Sequence, residues 1–153
     1  MAERDPEHWL YRLGAEEWLR AGMSELGQAR ARYAQRDARA GLASARRAAG
    51  MAWNAVLALD EPLDPAFGST YVEHLRALAN GTPHPVPIPS EVRDAAKALL
   101  HEPEPRAGTL VQLLSPRHDA RLVDAAETIL AEAYARLLRR GAIQPRRPSA
   151  GTA

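Results

Sequence analysis

The sequence predicts an all-α protein, an up-and-down helical bundle of about five helices built on a long antiparallel helix hairpin. Three observations carry that prediction. Residues 37–60, DARAGLASARRAAGMAWNAVLALD, place Ala38, Leu42, Ala45, Ala49, Ala52, Val56 and Leu59 at alternating steps of four and three. That spacing lines them along one face of an α-helix. Residues 15–36 repeat the pattern at Ala15, Leu19, Gly22, Leu26, Ala29 and Tyr33, with almost no chain between the two segments. Nowhere does the chain carry an alternating apolar run that reads as a strand.

Each element has a local reason. Asp5 and Pro6 form a helix-start signature, N-cap followed by proline. Trp9 and Trp18 on one straight helix would face opposite ways, so a short leading turn should break near Gly14 before the first main helix. Gly22 and Ala29 oppose the alanine-rich face of the second helix, which predicts a close crossing of a tightly linked hairpin. Residues 60–68 hold two prolines and a closing glycine and read as a loop. A third helix starts at Ser69 or Thr70, with Thr70 and Glu73 spaced as a capping box, and runs to Gly81. Four prolines in residues 82–89 favour an extended strap across the bundle. Ser90 is expected to cap a fourth helix over 91–102, with Val92, Ala96, Leu99 and Leu100 inward. Residues 102–108 break it, and 109–114 read as a short helical turn. The last helix, 116–140, turns Val123, Ala126, Leu130, Ala133 and Leu137 inward, with Leu122 and Ile129 beside them. Gly141 suits the position after its end. Residues 1–141 thus form a single domain, and 142–153 a tail too poor in apolar residues to order itself.

Composition narrows the function classes. The chain has 153 residues, 46% hydrophobic and 25% charged, with a net charge of +1; that is enough for one core and gives no general pull toward nucleic acid or membrane. Cysteine is absent, which excludes disulfides and thiolate metal sites. The polar start, MAERDPEHW, does not read as a signal peptide, and no apolar run reaches the length of about 18 residues that a membrane span needs. The cytoplasm is the expected compartment. Lys97 is the single lysine among twenty basic residues; arginine and alanine usage of this kind follows from a GC-rich genome.

The chain holds few chemical signatures. His8, His74, His84, His101 and His118 never fall one helical turn apart, as a helical metal site requires. HEPE at 101–104 imitates part of a metalloprotease motif, but Pro103 breaks the helix. No phosphate-binding glycine loop or serine nucleophile elbow is present, and no cofactor is expected. Glu73, Asp94, Asp119 and Asp124 read as solvated helix residues, and Trp9, Trp18 and Trp53 as core anchors. Arg136, Arg139 and Arg140 suit the negative end of the last helix; with Arg146 and Arg147 they make a basic end that phosphates could meet.

One resemblance spans residues 16–138. EEWLRAGMSELGQARARY, a short gap, ARAGLASARRAAGMAWNAVL, then GSTYVEHLRAL, with RLVDAAETILAEAYARLL closing the bundle, resembles the HEPN domain family. The family's third helix opens with a histidine and an apolar residue, here His74 and Leu75. The resemblance implies a bacterial helical bundle, commonly a homodimer, found beside nucleotidyltransferases, in RNA-cleaving toxin–antitoxin systems, or as a nucleotide-binding or assembly module. The ribonuclease branch needs an arginine closely ahead of a histidine, so that both cations meet the scissile phosphate. Arg76 with His84 and Arg93 with His101 each have seven residues between them, too many for that motif. The expectation is therefore a non-catalytic HEPN-like module that binds nucleotide, RNA or a nucleotidyltransferase partner. His74, Arg76, Arg46, Arg93 and His101 are its candidate ligand-contacting residues. Two alternatives remain: a tetratricopeptide-like interaction domain, whose second in-phase repeat is missing, and a divergent ribonuclease.

Overall fold

Gly14 starts the first helix, α1 (Ala15–Ala34): the Glu17 carboxylate accepts the Gly14 N–H at 3.2 Å, and Glu16 with Glu17 faces the positive helix end. The structure, a computed structural model, describes residues 13–59, 65–82, 87–102 and 116–144. The expected leading turn at 6–13 falls almost wholly outside them, as does the apolar run at 109–114.

α1 ends two residues earlier than the periodicity suggested. Arg36 takes a left-handed conformation with φ 61°, and the N–H groups of Arg36 and Asp37 return to the carbonyls of Tyr33 and Arg32. This is the helix stop usually given to glycine, here closed with an arginine. Asp37 at once caps the second helix, α2 (Ala38–Leu57), its carboxylate accepting the Ala40 N–H at 3.1 Å. The link is short enough to force an antiparallel hairpin. A Cβ added at Gly22 would lie 2.9 Å from the Ala48 carbonyl oxygen and 3.2 Å from the Ala52 nitrogen, so the two backbones meet with nothing between them.

α2 is the centre of the fold, and its burial exceeds the single seam of the periodicity. Besides Leu42, Ala45, Ala49, Ala52 and Val56, it buries Ser44, Ala48, Gly50, Trp53, Asn54, Ala55 and Leu57. Alanine, glycine and serine leave room for neighbours on several sides, and α2 packs against α1, the third helix and the last. Within α2 only Arg39 and Arg47, both in its first half, are exposed, so little is left of the polar face of an amphipathic surface helix.

A 3₁₀ turn, Pro65–Phe67, leads into α3 (Tyr71–Ala79). Thr70 caps α3 by accepting the Glu73 N–H at 3.1 Å, while Glu73 reaches back to the Ser69 N–H at 2.8 Å. The reciprocal bond therefore lands one residue before the expected partner, because Gly68 turns left-handed at φ 65° and leaves its side open to the Glu73 carboxyl. Gly81, at φ 71°, closes α3. Of the strap, Thr82 and residues 87–89 are described and are not helical; Ile88 is buried in the core.

α4 (Ser90–His101) begins one residue earlier than expected. Pro89 is its N-cap, and its carbonyl accepts the N–H groups of Val92 and Arg93. Ser90 is the first helical residue and caps nothing. α5 (Pro116–Arg139) buries Leu122, Val123, Ala126, Ile129, Leu130, Ala133 and Leu137. It ends at Gly141, whose φ of 68° lets Gly141 and Ala142 return their N–H groups to Leu138 and Leu137. Ile143 then folds back and is 8% exposed; residues 145–153 lie outside the described residues.

The described residues contain five α-helices and no strand. α1 and α2 form the hairpin, α5 lies against both, and α4 joins α3 to α5.

Candidate functional site

The five residues singled out from the sequence do not converge. His74 sits on α3 with no exposed surface. Its Nδ1 lies 2.6 Å from the Phe67 carbonyl oxygen and its Nε2 2.7 Å from the Asn54 carboxamide. Burial lowers its pKa from 6.5, opposed by the Phe67 carbonyl and Glu73. A neutral ring satisfies both contacts if Nδ1 donates to Phe67 and Nε2 accepts from the Asn54 amide nitrogen. That reading turns the carboxamide over and gives a partner to the Asn54 Nδ2, which in the opposite orientation has none. The histidine is an internal strut that ties α2 to the 3₁₀ turn.

Arg46 is committed as well. From α2 its Nε donates to the Leu99 carbonyl at 2.9 Å and its Nη2 to the Glu102 carbonyl at 3.1 Å, closing the last turn of α4 where a cation suits the helix end. His101, the final residue of α4, is exposed beside it. Arg76 is exposed on α3; Arg93 is exposed on α4, its aliphatic stem lying over Gly81.

Arg136, expected at a solvated helix end, is 5% exposed. Its guanidinium stands 5.2 Å from the centre of the Trp53 ring, pairs with Glu132 at 2.9 Å and donates to the Pro87 carbonyl at 3.2 Å. Trp53 also stacks on Phe67, with ring centres 6.2 Å apart. The arginine thereby pins the strap and α5 to the central helix. Arg140, at the end of the described basic region, donates to the Leu59 carbonyl at 3.3 Å.

A concave feature lies elsewhere, where the end of α1 meets the start of α5. Arg30, Tyr33 and Ala34 face Asp119, Ala120, Val123 and Asp124 across a cleft of about 380 Å³. Tyr33 rests on Gly41, since a Cβ there would come within 2.8 Å of its ring. Burial raises the Tyr33 pKa, helped by Asp119 and Glu102 and opposed by Arg46. Its hydroxyl oxygen is buried and has no hydrogen-bond partner among the described residues. Arg30 crosses from α1 to pair with Glu127 at 2.9 Å, and Arg121 stands 3.9 Å from Glu102. The cleft joins residues about ninety positions apart, so no local motif announces it; in the sequence Tyr33 reads only as the last step of the α1 seam.

No cluster of three or more potential metal ligands occurs among the described residues. No described helix is long and apolar enough to cross a membrane. No protein-family model, curated protein or solved structure matches the chain.

Proposed function

We propose that the chain is a helical binding or assembly module on the HEPN-like plan, working in the cytoplasm without a catalytic step of its own. The observation that supports this most is the sealing of His74. A general base must come within hydrogen-bond reach of the proton it removes, yet this histidine is fully buried and both its nitrogens are engaged. The histidine that the family pattern places in the third helix holds the core together here.

The enclosure of α2 by α1, α3 and α5 also favours a closed bundle over a tetratricopeptide stack, in which each repeat contacts only its neighbours. On the HEPN-like plan the partner is a second copy of the chain or a nucleotidyltransferase. Arg76, Arg93 and His101, exposed on α3 and α4, are available for the phosphates of a nucleotide or RNA.

Incubating the purified chain with single-stranded RNA, and melting it with and without ATP, tests the reading. The expected result is intact RNA and a rise in Tm with ATP that Arg76→Ala and Arg93→Ala reduce. Cleavage that follows the protein peak through purification would overturn it.

A further inference from the structure

We infer that the cleft between the end of α1 and the start of α5 binds an organic cation of the alkylammonium class, an amine carried on a short apolar chain. This rests on the reading of the chain as a non-catalytic binding module and gives that module a ligand class at a site apart from the exposed arginines of α3 and α4.

The lining has two parts. Tyr33, Ala34, Ala120 and Val123 supply an apolar wall, while Asp119 and Asp124 bring carboxylates from successive turns of α5. Arg30, the cation facing them, is already bridged to Glu127, and among the described residues Asp124 has no ion pair. The carbonyl end of α1 adds partial negative charge, and Asp119 in the first turn of α5 offsets the positive end of that helix. A phosphate would meet two carboxylates here, whereas an ammonium would meet them with its own sign reversed. The volume, about 380 Å³, lies within the usual span for small-molecule sites, at the lower end.

Titrating n-butylammonium chloride into the isotope-labelled full chain, with amide NMR shifts as readout, tests the assignment against n-butanol and butyrate at the same pH and ionic strength. Saturable shifts confined to residues 30–34 and 119–124 are expected with the amine, weaker ones with the alcohol and none with the acid. Asp124→Asn should weaken amine binding about fivefold, the scale of one exposed ion pair, and leave the alcohol unaffected. Ala120→Trp, which fills the cleft without changing charge, should remove both. Both positions are exposed, so both variants should fold. Butanol or butyrate binding as well as the amine, an unchanged Asp124→Asn affinity, or no saturable shift at all would overturn the proposal. Failure here with RNA left intact removes the cleft assignment alone; RNA cleavage removes the broader reading.

Discussion

At the scale of single residues, polar groups in the core decide more than their number suggests. His74 and Arg136 are both side chains that water normally solvates; His74 is held by Phe67 and Asn54 from other elements, and Arg136 by Glu132 on its own helix and the Pro87 carbonyl. A buried polar group left without partners costs several kcal/mol of stability, so these contacts must form together with the surrounding packing. His74 has a direct consequence for pH. Its folded pKa lies below 6.5, chiefly through burial, so the unfolded chain takes up a proton first as the solution is acidified. The stability contribution of the neutral ring is complete above about 6.5 and drains away as the pH falls toward the folded value. Thermal melts between pH 7.5 and 5 should therefore show Tm falling with acidification. His74→Asn should start lower and lose less over that range. An equal loss in both proteins would show that another group governs the acid limb.

At the scale of elements, the hairpin turns on where a glycine is needed and where it is merely tolerated. Gly22 faces the Ala48 carbonyl at the point of closest approach, whereas a Cβ at Gly27 would meet nothing within 4 Å. Both sit inside α1, where alanine is the better helix former by about 1 kcal/mol. The two substitutions should consequently move stability in opposite directions. Gly27→Ala should stabilise by up to about 1 kcal/mol. Gly22→Ala has to push α1 away from the backbone of α2, and overpacking of that kind costs about 1–3 kcal/mol, more than the propensity gain. Urea unfolding of the pair measures the difference; a stabilised Gly22→Ala would mean that the helices have slack at the crossing.

Hairpin, caps and helix ends were largely legible from the chain because their causes are local. The start of α1 at Ala15, the Thr70 cap and the glycine stops at Gly81 and Gly141 all follow from neighbouring residues. The departures are local too. Arg36 adopts the conformation that glycine usually supplies, Pro89 displaces Ser90 as the cap of α4, and Glu73 bonds Ser69 because Gly68 opens the turn.

At the scale of the whole molecule, α2 carries the common core. Ala49 has no exposed surface and lies midway along it. Ala49→Arg would bury a long charged side chain without a counter-ion, a penalty of several kcal/mol against a total stability of about 5–15 kcal/mol for a domain. Loss of the cooperative melt, and collapse of NMR dispersion, are the expected outcomes. A variant melting within a few degrees of the parent would place Ala49 at the surface and undo the central position of α2.

Periodicity and propensity settled in advance that the chain is all helical and built on an antiparallel hairpin with small residues at its crossing, because side-chain spacing along a helix determines which face is apolar. They left open what surrounds that hairpin. Only the assembled bundle draws His74 and Arg136 inside, commits Arg46 to the end of α4, and brings Tyr33 opposite Asp119 and Asp124. Those outcomes depend on contacts between residues far apart in the chain, and a helical period gives the direction of a side chain without saying which neighbour it meets.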